Sequence, residues 1–271
     1  MRVGFRLGSC AAPILLGFLL SGCASTSWLE TMAFGEKPSA DGLDGLMRVA
    51  ADIEAQGQIA SALPIYERAA ATSNDTPAQL RLGDAYMRAG KTDQAIQAYR
   101  AVLASAPDNP DALLGLGSAL VKVGDPDGAV VPLAKAAPIV KTMSAYNRLG
   151  VAQVQAGSFA QAQESFDAAS ALAPDDLDIR TNLALAAALD GQETKAIDAT
   201  RAVVAAPGAQ ARHRRNLMIV FGLLGRVAEG RAAAPSGLSA DEVKRLLTRA
   251  TAIRAIGDAK ERAKALGTIM G

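Results

Sequence analysis

Glycine recurs along this chain at an almost constant spacing. The positions are Gly57, Gly90, Gly124, Gly157, Gly191 and Gly225, so each glycine follows the previous one by about 34 residues. Other positions keep the same phase: alanine follows each of the first five glycines by five residues, and a small residue precedes them by seven (Ala50, Gly83, Gly117, Gly150, Ala184). Helical amphipathicity has a period of about 3.6 residues and does not produce this longer one. The chain therefore contains repeated structural units.

Two copies show the unit most clearly: AQLRLGDAYMRAGKTDQAIQAYRAVLASAP (78–107) and AYNRLGVAQVQAGSFAQAQESFDAASALAP (145–174). They resemble the tetratricopeptide repeat, a helix-turn-helix unit of about 34 residues, and the resemblance covers residues 43–235 in about six copies. It implies an all-α fold, a right-handed α-solenoid. Glycine would form the turn, small residues would let the two helices approach, and Tyr66, Tyr99, Leu133 and Phe166 would fill the space beside them.

The composition agrees with helices and limits the chemistry. Half of the 271 residues are hydrophobic but only 4% are aromatic, which favours helices packed through small side chains over β-sheets. The 28 basic and 27 acidic residues nearly cancel, so no large positive field attracts nucleic acid. A single histidine and two cysteines leave little material for a metal site or a Cys/His catalytic pair. We expect no cofactor, no metal and no nucleic-acid partner.

The repeats are not identical, and the last one departs most from the pattern. Asn109-Pro110 and Thr76-Pro77 predict N-caps before helices, and bends are expected where Pro64 and Pro132 fall inside second helices. The sixth repeat is degenerate, because Met218, Gly230 and Ala234 replace the usual residue types. After Pro235, Ser239 and Glu242 form a capping box ahead of an apolar stripe of Val243, Leu246, Leu247 and Ala250. Residues 236–271 are therefore predicted to be a helical cap on the open end of the stack, as solenoids require.

Residues 1–22 have the pattern of a bacterial signal peptide. Arg2 and Arg6 precede an almost wholly apolar run from residue 7 to residue 20, which is shorter than the roughly 20 residues of a membrane span. The following Leu20-Ser21-Gly22-Cys23 resembles the lipobox of lipoproteins, which implies cleavage before Cys23 and its acylation. An ordinary signal peptide with an incidental cysteine is the alternative. Because Ala24 rather than Asp follows the cysteine, the resemblance implies an outer-membrane location, with residues 23–42 as a flexible tether.

Three other segments invite a chemical interpretation. AGKTD at 89–93 contains part of a phosphate-binding loop, but Ala85 stands where that loop needs glycine and no strand precedes it, so we expect no nucleotide. RHRRN at 212–216 contains His213 and is interpreted as a solvated helix face, with an acidic-partner site as the alternative. NLMIVFGLLG at 216–225 is too short to cross a bilayer and is expected to be a buried first helix. None of the three supplies a catalytic residue.

The resemblance implies that the first helices line a concave groove. In many tetratricopeptide domains, Asn, Arg or Lys just before a Leu-small pair holds a partner's peptide or carboxylate. Arg148, Asn182 and Asn216 occupy this same position in three successive repeats, and Gly115 leaves a gap in the row. The alternative is that these residues bind nothing, as in many such repeats. The candidate groove residues are Arg81, Asp84, Arg88, Lys122, Asn147, Arg148, Asn182, Arg215 and Asn216.

A lipobox, a short tether, about six repeats and a helical C-terminus together resemble the TadD-like lipoproteins of the Tad (Flp) pilus system. The resemblance implies a non-enzymatic, periplasm-facing protein that supports assembly of the secretin pore, with the secretin or other pilus components as partners. Accessory lipoproteins of other envelope machinery form the first alternative: a type IV pilus pilotin, a barrel-assembly factor or a scaffold for peptidoglycan hydrolases. An enzyme with an unrecognised active site is the second.

Overall fold

The computed structural model describes residues 40–72 and 75–270, and all regular elements within these ranges are α-helices. In chain order they are α1 (Ala40–Ala55), α2 (Ile59–Thr72), α3 (Thr76–Arg88), α4 (Thr92–Ser105), α5 (Pro110–Lys122), α6 (Pro126–Val140), α7 (Met143–Gln155), α8 (Phe159–Leu172), α9 (Leu177–Leu189), α10 (Glu193–Ala205), α11 (Ala211–Leu223), α12 (Val227–Ala233), α13 (Ala240–Arg254) and α14 (Ala259–Met270). The all-α solenoid is confirmed.

The predicted signal peptide, Cys23 and nearly all of the predicted tether lie outside the described residues. Helix α1 begins at Ala40, so the last three residues of the segment predicted as a tether are helical. None of the helices in the described ranges combines the length and the apolar character that crossing a bilayer requires.

The helices pair as first and second helices of six repeats, from α1 with α2 to α11 with α12. The six glycines that recur about every 34 residues all have a positive φ, between 74° and 81°. Each of them lies at the turn between the two helices of its repeat. This left-handed conformation is strained for residues that have a Cβ, so the recurring glycine is a backbone requirement of the turn. The regular spacing seen in the sequence is thus the spacing of these turns.

The small residue that recurs in the first helix packs against the large residue that recurs in the second helix. A Cβ placed on Gly83 would lie 2.7 Å from the Tyr99 ring, and one on Gly150 would lie 2.5 Å from the Phe166 ring. Both rings are almost completely buried. The small residue of the first helix therefore provides the volume that the aromatic side chain of the second helix fills.

The predicted helix starts are confirmed only in part, and the prolines lie within continuous helices. The predicted cap at Asn109 is confirmed, because its side chain accepts a hydrogen bond from the Ala112 amide at 2.9 Å. The predicted cap at Thr76 is wrong: Thr76 is already helical, and Asp75 precedes the helix. Helix α2 runs through Pro64 and α6 through Pro132, so neither proline ends its helix.

The end of the array explains why the sixth repeat departs from the pattern. Its second helix, α12, has only 7 residues, and the predicted capping box of Ser239 and Glu242 starts α13. A Cβ on Gly230 would lie 2.5 Å from the Leu247 side chain, and one on Gly222 would lie 2.6 Å from Ala250. Both glycines make room for α13, which packs on α11 as a seventh first helix. The cap was expected to be one helix, but α14 follows it and turns back to contact α7.

The odd-numbered helices line the inner, concave face. From α3 to α11, each first helix contacts the first helix of the next repeat, whereas second helices of neighbouring repeats lie farther apart. This asymmetry curves the stack toward its first helices, as in other helical-repeat proteins. Residues on α3, α5, α7, α9 and α11 therefore decide what the groove can bind.

Candidate protein-binding groove

An open cleft of about 640 Å³ lies on the inner face where α3, α5 and α7 meet. Gly115 lines this "central cleft" and lets the Tyr99 ring pack against α5, because a Cβ at that position would lie 2.4 Å from the ring. The gap that Gly115 leaves in the predicted row of polar residues thus lies at the cleft. Its lining residues are Asp84, Met87, Arg88, Tyr99, Asp111, Leu114, Gly115, Ser118, Val121, Leu133, Asn147, Arg148 and Val151.

Charged groups of both signs surround the apolar floor of the central cleft. Asp84 Oδ1 accepts a hydrogen bond from the Tyr99 hydroxyl at 2.6 Å, and burial together with this bond raises the pKa of Tyr99 above its usual range. Arg88 donates to Glu54 Oε2 at 2.9 Å, and Arg148 Nη1 donates to Ser118 Oγ at 3.1 Å. Both arginines are exposed, and Arg88 is already ion-paired with the Glu54 carboxylate. Arg148 is therefore the better placed of the two to donate to a partner's carboxylate or peptide carbonyl.

The nine candidate groove residues do not form one continuous row. Asp84, Arg88, Asn147 and Arg148 line the central cleft, whereas the other five do not. Lys122 lies at the end of α5 and donates to the Met87 carbonyl at 3.4 Å, and Arg81 is exposed on α3. The candidate residues that share a cavity are therefore those on the facing sides of α3 and α7, beside α5.

In the C-terminal half, the candidate residues contact other parts of the protein. Asn182 donates to Asn147 Oδ1 at 3.1 Å, which links α9 to α7. Arg215 donates to the carbonyl oxygen of Ile269 in α14 at 2.8 Å, and its neighbour Asn216 is half-buried on α11. Helix α14 thus reaches the part of the groove where the sequence predicted an open row.

The RHRRN segment is solvated only in part: Arg212 and Arg214 are exposed, whereas His213 is buried and links two repeats. His213 is buried, and its Nε2 lies 2.9 Å from Asp178 Oδ1, while its Nδ1 accepts from the Gln210 amide at 3.0 Å. Arg212 binds both oxygens of Asp178, at 3.1 and 2.9 Å. The hydrogen bond from Arg212 is the largest cause of the lowered pKa of Asp178. Sequence reasoning missed Asp178, and the available signal was that it precedes Arg212 by one repeat length.

Helices α13 and α14 together cover the apolar segments of α9 and α11. Residues 184–189 of α9 are all buried, and so are residues 217–220 of α11, as expected for the apolar segment at 216–225. Helices that are apolar all round must be covered on every side. The segments LALAAAL (183–189) and NLMIVFGLL (216–224) are almost wholly apolar, and this feature of the sequence indicates that a further helix covers them. Within residues 40–72 and 75–270, no group of His, Cys, Asp and Glu side chains could hold a metal ion.

Two family models described as tetratricopeptide repeat match the chain, one at residues 80–143 and 147–211 and the other at 54–98, together more than half of its length. The chain belongs to the tetratricopeptide repeat family. Arrays of this family are scaffolds for protein–protein interaction and are generally non-enzymatic, and their extended concave surface is the part that binds. No curated protein sequence matches the chain.

Several solved structures share the tetratricopeptide fold. A tetratricopeptide repeat protein from Parabacteroides merdae aligns with a TM-score of 0.62 and 15% identity, covering 84% of this chain and 98% of its own. MamA from Desulfovibrio magneticus RS-1 aligns with a TM-score of 0.55 and 19% identity, covering 63% of this chain and 93% of its own. A MamA structure from AMB-1 has 28% identity and a TM-score of 0.54, covering 62% and 93% respectively.

Proposed function

We propose that this tetratricopeptide repeat protein is a non-enzymatic, outer-membrane lipoprotein that supports assembly of a Tad (Flp) pilus by binding a protein partner in its central cleft. Three sequence features support the proposal: the lipobox ending at Cys23, the Ala24 that follows it, and a repeat array that occupies most of the remaining chain. The partner is the secretin or another pilus assembly component. The lipid on Cys23 would hold the array beside the membrane in which that component assembles.

The central cleft is the observation on which the binding site rests. Its floor is apolar, with Met87, Leu114 and Val151, and its walls present the carboxylate of Asp84 and the guanidinium of Arg148. A peptide segment with one or two large apolar side chains fits this arrangement, because burial of those side chains supplies affinity and the flanking charges fix orientation. Catalysis is not part of the proposal, since the tyrosine in the cleft has a raised pKa and remains a neutral hydrogen-bond donor.

The proposal is tested in the organism that encodes the protein. Arg148→Glu reverses a charge in the central cleft, and Arg100→Glu makes the same change on α4, which is a second helix and lies outside the cleft. We expect the Arg148→Glu strain to lose pili by electron microscopy and to contain fewer secretin multimers on immunoblots, whereas the Arg100→Glu strain keeps both.

Deletion of the gene provides the broader test. We expect the deletion strain to lack Tad pili and to regain them when the wild-type gene is supplied from a plasmid. Normal piliation in the deletion strain would rule out the pilus function. Loss of pili in the deletion strain, together with normal pili in the Arg148→Glu strain, would support the pilus function but would show that the partner binds outside the central cleft.

A further inference from the structure

Helix α14 does not follow the pattern of the repeats that precede it. In repeats one to six, the second helix packs along the first helix of its own repeat, whereas α14 contacts both α13, which precedes it, and α7, which lies three repeats earlier. It begins beside the turn of repeat four, where a Cβ on Gly157 would lie 2.9 Å from the backbone of Ala259. Asp258 accepts a hydrogen bond from the Glu261 amide at 2.9 Å and starts the helix. The helix therefore lies on the inner face, where partners of such arrays bind.

One side of α14 is apolar and faces the groove. Ala263, Leu266 and Ile269 follow at intervals of three residues and belong to one buried cluster with residues of α8, α9, α10, α11 and α13. That cluster includes Leu185, Ala188, Ile219 and Leu223. The other side, with Glu261, Lys264, Gly267 and Thr268, is exposed. Helix α14 is thus an amphipathic helix lying in a groove, which is a recurring mode of peptide recognition.

Polar contacts fix the direction in which α14 lies. Near its start, Lys260 Nζ is 2.7 Å from Asp127 Oδ2, and the guanidinium carbon of Arg262 is 5.3 Å from the centre of the Phe159 ring. At its other end, the Ile269 carbonyl accepts the hydrogen bond from Arg215. The groove thus offers an acidic group to the start of a bound helix and a donor to its end, where unpaired carbonyls remain.

Helix α14 has little stability of its own. It has 12 residues, and isolated helices shorter than about 12–15 residues are marginal in water. Gly267 lies inside it, and a Cβ added there would meet nothing within 4 Å, so this glycine lowers helix propensity without improving packing. The helix is held mainly by its three apolar side chains and by contacts at its two ends. Such an element opens separately from the core of a protein.

We propose that the inner face of repeats four to six is a binding site for an amphipathic helix of a partner protein, and that α14 occupies this site as an intramolecular competitor. The partner helix presents a small and two large apolar side chains at intervals of three residues, preceded one turn earlier by a basic residue for Asp127. Binding of that helix requires α14 to leave. The proposal does not depend on the pilus function, because it rests on the contacts of α14 alone.

Hydrogen exchange on the wild-type full-length protein tests whether α14 opens by itself. We expect the amides of residues 262–270 to exchange at least tenfold faster than those of α9 and α11. Equal protection of all three helices would make α14 an integral part of the fold and would overturn the proposal. Gly267→Ala raises helix propensity at an exposed position, so it is expected to slow exchange in α14 about three- to fivefold.

A synthetic peptide of residues 257–271 tests whether the groove accepts a helix supplied from outside. In the full-length Leu266→Asp/Ile269→Asp variant the tethered helix is displaced, and the fluorescein-labelled peptide is expected to bind at least tenfold more tightly than to the wild type. The difference arises because a short tether gives α14 an effective concentration on the order of millimolar. Lys264→Asp, on the exposed side of α14, is the matched control and should behave as the wild type.

Three further results would contradict the proposal. The first is equally weak peptide binding to the double variant and to the wild type, with the repeats still folded by circular dichroism. The second is a wild-type dimer whose population rises with concentration and that the double variant does not form, because this would assign the groove to α14 of a second copy. A peptide with Leu266→Asp should not bind the double variant, and binding of it would also count against the proposal.

Discussion

Tyr99 of α4 donates its hydroxyl to Asp84 of α3 at 2.6 Å, while its ring fills the space left by two glycines on neighbouring first helices. One of them, Gly83, belongs to the same repeat, and the other, Gly115, belongs to the next repeat. The tyrosine therefore joins two repeats and forms part of the floor of the central cleft. The same residue serves the stability of the array and the shape of its binding surface.

Gly115→Ala is predicted to destabilise the array. The new Cβ would lie 2.4 Å from the Tyr99 ring, and forcing a group into a packed interior costs about 1–3 kcal/mol. Gly45→Ala is the matched control, since it lies inside α1 with nothing within 4 Å of its Cβ, and it should be neutral or stabilising by up to about 1 kcal/mol. Urea unfolding measures both, and equal stabilities for the two variants would contradict the role assigned to Gly115.

Asp178→Asn is predicted to lower stability in a pH-dependent manner. The hydrogen bond from Arg212 lowers the pKa of Asp178 in the folded protein, so its carboxylate stabilises the fold above its unfolded pKa, and this contribution is lost as the pH falls through the folded pKa. Because the side chain is 57% exposed, we expect a cost of only about 1 kcal/mol at pH 7. The difference from the wild type should shrink below about pH 4, and a difference that stayed constant down to pH 2 would contradict the assignment.

Cys23→Ser is predicted to release the protein from the membrane without unfolding its repeats. The anchoring energy comes from acyl chains, at about 0.8 kcal/mol for each buried methylene, whereas the repeats are held together by contacts between the described helices. After osmotic lysis, the variant should be found in the soluble periplasmic fraction with wild-type helical content by circular dichroism. Continued recovery of the variant with the outer membrane would argue against lipidation at Cys23.

The sequence predicted those parts of the fold that depend on neighbouring residues. Turns at a fixed spacing, and small residues opposite large ones, are local requirements that every repeat has to meet, so they recur in the sequence. The placement of α14 depends instead on contacts between residues far apart, such as Lys260 with Asp127, and one 12-residue helix has no period to reveal them. The one indication was that the C-terminal halves of α9 and α11 are apolar all round.

The candidate site was predictable to a similar degree. Arg148 was identified by its phase in the repeat, and Asp84, Arg88 and Asn147 by their positions beside that phase or on neighbouring turns; all four line the central cleft. Their phase did not indicate that Arg215 contacts α14, or that Asp178 holds Arg212 and His213, because position within a repeat does not specify the side chain that another element brings. Position in the repeat thus locates the inner face, and tertiary contacts decide which part of it stays open.

The most direct test of a protein partner in the central cleft is site-specific photocrosslinking in living cells. A benzoylphenylalanine in place of Asp111, an exposed residue at the cleft, is compared with one in place of Arg100 on α4. We predict that the Asp111 position forms an ultraviolet-dependent adduct containing the pilus secretin or another pilus component, and that the Arg100 position does not. Adducts of equal yield at both positions, or only at Arg100, would contradict the account.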